Sequence, residues 1–122
     1  MSVKAIWLAG IAATAFAVPA LAHHSFAMFD ATKTIEMAGV VKEFQWTNPH
    51  AWLIVTIADE QGKATDWQLE MGGPGGLARQ GWRPKTVVPG DKVTVKHHPL
   101  KDGSAGGQFV SVVLPNGTSL GE

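Results

Sequence analysis

Five histidines, His23, His24, His50, His97 and His98, are the side chains of this 122-residue chain best suited to chemistry. Ala20-Leu21-Ala22, just ahead of the first pair, is an A-x-A cleavage signal, so a cut after Ala22 leaves His23 with a free amine. The amine and one ring nitrogen of His23 then close a chelate on a metal ion. His24 supplies a second nitrogen, and a histidine from the folded domain, with His50 the candidate, completes the set. Nitrogen-rich tetragonal sites suit Cu(II), which heads the affinity order of the divalent first-row metals. A cut after Ala20 would instead place His23 third from the amine, an arrangement that binds Cu(II) or Ni(II) in a square plane. Either cut yields a copper-competent terminus. The competing reading is a polar, solvated start to the mature chain.

The rest of the leader fits export. Lys4 gives the positive n-region, residues 5–18 are apolar, and Pro19 precedes the small-residue site. The apolar run is shorter than the roughly 20 residues that span a bilayer, and none follows it, so no stable membrane anchor is expected after cleavage. An uncleaved anchor is the alternative. Residues 1–22 are read as a signal peptide, 23–33 as an N-terminal arm and 34–122 as one folded domain, with a periplasmic destination.

Without Lys4 the chain carries nine basic against ten acidic side chains and has no cysteine. Near neutrality excludes the basic stripe of a nucleic-acid binder, and no disulfide can staple the fold. Stability rests on packing, for which Trp46, Trp52, Trp67 and Trp82 are the largest contributors available.

The elements that must position the histidines read as short strands. Residues 35–46 are β-branched and aromatic with Gly39 inside, the mark of a bulge or sharp bend. Thr47-Asn48-Pro49 turns the chain into residues 51–57, and Asp59–Lys63 forms a hairpin loop into residues 65–71. There Trp67, Leu69 and Met71 share one face, and Asp66, Gln68 and Glu70 the other, where they read as solvated charges or a carboxylate pair. Gly72 to Gly76 reads as a flexible connection to one helical turn over residues 77–80, with Gly81 as its C-cap and Trp82 packing behind. Residues 92–98 and 108–114 complete five strands, and Pro115-Asn116-Gly117 ends the last. His97 shares the parity of Val93 and Val95 and is expected half-buried, whereas His98 lies with the lysines and is expected in solvent.

Three strands, a helical turn and two strands is the order of a five-stranded OB-like Greek-key barrel, an all-β fold. An open β-sandwich is the alternative topology. His50 lies where a turn feeds a strand, between Trp46 and Trp52. The group Trp46, Asn48, His50 and Trp52 is therefore a candidate binding face for a peptide, glycan or small envelope molecule, without metal. His50 would equally satisfy a buried carbonyl, with Asn48 bonding its own backbone.

No enzyme is expected. Ser25 lacks a nucleophile elbow and an acid partner, the glycine run lacks the Lys-Ser/Thr of a phosphate loop, and no CxxC, helical HxxxH or acidic comb marks a zinc or calcium site. A copper oxidase would need an open coordination position and a substrate groove, which the sequence does not indicate. Met28, between Phe26 and Phe29, reads as a packing residue or a soft Cu(I) ligand.

His23-His24-Ser25-Phe26, Trp46-Thr47-Asn48-Pro49-His50-Ala51-Trp52, Gly81-Trp82, Pro89-Gly90-Asp91 and Lys101-Asp102-Gly103 together resemble a family of small exported bacterial proteins, catalogued as a domain of unknown function. The resemblance covers essentially the whole mature chain. It implies an envelope location in Gram-negative bacteria and brings no catalytic residues with it.

Overall fold

The computed structural model describes residues 26–122; the expected signal peptide, His23 and His24 lie outside the described residues. A 3-10 turn over Phe26–Met28 is followed by β1 (Ile35–Gln45), β2 (Trp52–Ala58), β3 (Ala64–Glu70), α1 (Pro74–Arg79), β4 (Lys92–Pro99), β5 (Gly106–Val113) and β6 (Ser119–Gly121). The sheet order is β3-β2-β1-β4-β5-β6, and a parallel pairing of β3 with β5 closes the first five strands into a barrel. This is the expected OB-like order, with every other neighbouring pair antiparallel. Among the described residues no helix is long and apolar enough to cross a membrane.

Closure depends on β1 serving two partners. Its first half pairs with β4 and its second half with β2. The expected irregularity is split between two positions. The register shift falls between Val41 and Glu43. Gly39 instead permits close approach: a Cβ there would stand 2.5 Å from the Thr56 carbonyl oxygen and 2.8 Å from Val55 Cγ1. A bend at the glycine and a bulge three residues later coil the strand around the core.

Alternation fills the interior. Leu53 and Val55 from β2, Leu69 from β3, Val93 and Val95 from β4, and Phe109 and Val112 from β5 are all buried in one cluster. Leu77 of α1 and Trp82 just beyond it join that cluster. Trp82 is fully buried, with ring centroids 5.7 Å from Phe44 and 5.5 Å from Phe109, and its Nε1–H donates to the Gly121 carbonyl at 3.1 Å. Trp46 extends this aromatic chain through Phe44 at 5.8 Å.

Several expectations need correction. The helix begins at Pro74 rather than at Leu77, because proline suits the first helical position, where no amide bond is lost. Its exit is a Schellman motif: Trp82 N–H bonds the Leu77 carbonyl, Gly81 N–H bonds that of Ala78, and Gly81 has φ +95°. Pro115-Asn116-Gly117 does not end the sheet. It is a hairpin turn, closed by Leu114 N–H on the Thr118 carbonyl, and β6 returns along β5 with Leu120 against the core. Glu70 is buried rather than solvated, His97 is fully buried rather than half-buried, and His98 is partly covered, its Nδ1 2.7 Å from the Lys33 carbonyl oxygen.

Candidate functional site

The loop between β1 and β2 carries His50. Thr47 Oγ1 donates to the His50 carbonyl at 2.7 Å, and Ala51 exchanges backbone bonds with Gly72 and Met71, tying this loop to the end of β3. His50 Nδ1 stands 2.8 Å from the Met71 carbonyl oxygen. A carbonyl only accepts, so Nδ1 carries a proton. The expectation that His50 serves a backbone carbonyl thus describes one of its nitrogens.

Glu70 Oε1 lies 3.5 Å from the same Nδ1. Parity pointed this carboxylate outward with Asp66 and Gln68, yet it is only 5% exposed. Glu122 joins from directly beyond β6, where its Oε1 accepts the Gly72 N–H. Burial pushes the Glu122 carboxyl above its ordinary range. The Gly72 bond and the positive potential of His50 oppose that shift, and the Glu70 charge adds to it.

Two glycines make this convergence possible. A Cβ at Gly72 would stand 2.3 Å from Glu122 Oε1, and one at Gly73 would stand 2.9 Å from the Pro49 carbonyl oxygen. The run read as a flexible connection is thus a packed seat for the β1–β2 loop and for Glu122. Asn48 is exposed in that loop, with its Oδ1 turned toward Gly73.

His50, Glu70 and Glu122 line a small cavity of about 80 Å³ together with Phe26, Met71 and Gln108. Among the described residues no three His, Cys, Asp or Glu side chains form a metal cage.

The arm lies against this region. Phe29 is buried and bridges Leu100, Asp30 N–H bonds the Pro99 carbonyl at 2.8 Å, and Lys101 N–H bonds that of Met28 at 3.0 Å. A groove of about 450 Å³ runs beside it, lined by Met28, Phe29, Trp52, Gln68, Glu70, the β4–β5 loop and the first residues of β5, Gly106 and Gly107. The Ser104 hydroxyl and amide hold the Asp102 carboxyl in that loop below its ordinary range. Strands β2 and β3 with the adjoining loops are the usual binding face of OB barrels, although a shared face does not name a ligand.

The candidate aromatic face is thereby divided. Trp52 lines the groove and His50 the small cavity, with Glu70 common to both. Trp46 belongs to the aromatic chain that ends on the core and lines neither. His97 and His98 lie elsewhere, as opposite parity demands. Sequence reasoning paired Glu70 with Asp66 on a solvated face rather than with His50, and gave Glu122 no role. The one signal for Glu70 was its place between Leu69 and Met71 at a strand end, and nothing local marked Glu122.

No curated protein and no solved structure matches this chain. A family model described as "Family of unknown function (DUF6152)" matches residues 11–109, most of the chain, and the protein belongs to that family.

Proposed function

We propose that this protein is exported to the periplasm and there binds Cu(II) without catalysing a reaction, using the histidines at the start of its mature chain. The observation that carries this reading is the position of Phe26, which lines one cavity with His50, Glu70 and Glu122. His24 and His23 precede Phe26 by two and three residues, so the chain's reach places them within roughly 7 and 11 Å of it. The barrel supplies the His50 imidazole, and the arm supplies an amine and two further imidazoles. That donor set is nitrogen-rich and suits Cu(II). Glu70 beside the Nδ1–H orients the ring, as a carboxylate does behind a metal-bound histidine.

The test compares chains beginning at His23 with chains carrying an extra Met before it, and each with His50→Ala. Competition titration with Cu(II) should show affinity falling roughly tenfold or more on N-terminal extension, about 1.4 kcal/mol per decade. The electron paramagnetic spectrum should lose nitrogen couplings in His50→Ala. Equal affinity with and without the extra Met would sink the reading.

The groove beside Trp52 favours a second reading, a metal-independent module for a peptide, glycan or small envelope molecule. An indole wall flanked by Gln68, Glu70 and the β4–β5 loop offers stacking and hydrogen bonding together. Deletion of residues 23–25 separates the two readings, because groove binding survives it and copper capture does not.

A further inference from the structure

We infer that the barrel holds a second metal site, specific for a soft monovalent ion such as Cu(I), formed by Met37 of β1 and His97 of β4 beneath Trp67 of β3. His97 is fully buried, and its Nε2 stands 3.3 Å from the Met37 thioether sulfur. Taking the roughly 2.0 Å to nitrogen and 2.3 Å to sulfur of zinc sites as a guide, metal bonds across that separation meet at roughly 100°, near the tetrahedral angle. The two donors therefore already stand at chelating distance.

The other edge of the imidazole explains why the pair is more than a packing contact. Nδ1 is buried and has no hydrogen-bond partner among the described residues. It is sealed by Gly107 of β5, where a Cβ would lie 2.3 Å from Nδ1 and 2.5 Å from the His98 carbonyl oxygen. The His98 backbone carbonyl lies on that side without closing a full hydrogen bond, and it favours the proton on Nδ1. The Nε2 lone pair then faces the sulfur lone pairs, and two donors without a shared hydrogen converge on one point. A cation between them resolves this, whereas the opposite tautomer gives a weak N–H to sulfur bond and leaves Nδ1 bare in the interior.

Ligand chemistry selects the ion. A neutral imidazole and a neutral thioether are soft donors that suit Cu(I) and offer little to Mg²⁺ or Ca²⁺. A single positive charge is also less costly to bury than two. Met37 and Trp67 are each only partly buried, which leaves a way in past them, and the Trp67 ring lies 5.4 Å from the imidazole. None of these residues belongs to the arm site.

The experiment uses the exported chain with an extra Met before His23 and with His50→Ala, so that the proposed Cu(II) site is disabled whichever way its own test falls. Anaerobic titration with Cu(I) against a colorimetric chelator should show one bound equivalent. Met37→Leu, which keeps side-chain volume, should weaken it roughly tenfold or more. Ag(I) added to ¹⁵N-labelled protein should shift the Nε2 resonance of one buried histidine and leave its Nδ1 protonated. Quenching of tryptophan fluorescence on Cu(I) addition should disappear in Trp67→Phe. Full Cu(I) affinity in Met37→Leu, quenching that persists in Trp67→Phe, or an Nε2–H tautomer unchanged by Ag(I) would each overturn the proposal. The nuclear resonance arm needs no variant, so a folding failure of Met37→Leu does not rescue it.

Discussion

The Glu70 carboxylate lies 3.5 Å from His50 Nδ1, a nitrogen already 2.8 Å from the Met71 carbonyl oxygen, so one N–H faces two acceptors. A buried carboxylate thereby gains a donor-bearing ring, and the ring is oriented from behind. Removing the ring by His50→Ala strands the carboxylate. The expected loss of stability is about 1–3 kcal/mol, read from urea unfolding midpoints. His50→Ala combined with Glu70→Gln should be more stable than His50→Ala alone, because the uncompensated charge is gone. If the double variant is the weaker of the two, the pair is not electrostatically coupled.

Trp82 should dominate the stability of the fold. It is fully buried between Phe44 and Phe109, and its Nε1–H is bonded to Gly121. Trp82→Phe loses that bond and part of the volume. Trp82→Ala should cost about 3–5 kcal/mol, a large part of the roughly 5–15 kcal/mol typical of a domain. Calorimetry on both variants checks the order.

His97 predicts a pH dependence whose sign is fixed. Its folded-state pKa is lowered from an ordinary 6.5, chiefly by desolvation. The unfolded chain therefore takes up the proton first, and stability falls as pH drops below 6.5 toward the folded value. Glu122 acts oppositely. Its carboxyl is raised above 4.5 by burial, so its contribution is present below 4.5 and is lost as pH rises through the folded value. Unfolding midpoints between pH 4 and 7.5 should flatten on the near-neutral side in His97→Gln and on the acid side in Glu122→Gln.

Gly39 and Gly73 test close approach at two different places. Gly39→Ala drives a Cβ into the β2 backbone and the Ile57 side chain, and should cost about 1–3 kcal/mol or more. Gly73→Ala presses on the Pro49 carbonyl instead and displaces the loop that holds His50. Its signature should be a weakened Cu(II) affinity alongside a modest fall in melting temperature. A Gly39→Ala protein as stable as the parent would show that β1 need not coil there.

The barrel was legible because its logic is local. Alternation in Leu53 and Val55, in Leu69, and in Val93 and Val95 set the inner face, and Asp59–Lys63, Pro89-Gly90-Asp91 and Lys101–Ser104 marked the corners. The sixth strand was hidden because a proline-glycine turn looks alike whether the chain stops there or doubles back. Glu70 was misplaced for a different reason. Parity assigns a side of the sheet, and that side is dry only where a distant segment covers it, as the arm does here. Glu122 enters the site from 50 residues beyond Gly72, a separation at which sequence carries no proximity signal. Trp46 and Trp52 flank His50 in sequence, but one ends on the core and the other in the groove.

The clasp of Phe29 on Leu100, with its flanking backbone bonds, has a kinetic and thermodynamic corollary. On the proposed copper reading, it makes the histidines ahead of it a tethered reagent. For Cu(II) chelated by His23, the imidazole of His50 is met at an effective concentration set by a few residues of chain, in the millimolar range or above for tethers so short. Each donor would then contribute as part of a multivalent grip rather than as a separate weak ligand. Loosening the clasp by Phe29→Ala should dilute that encounter without touching a single donor atom.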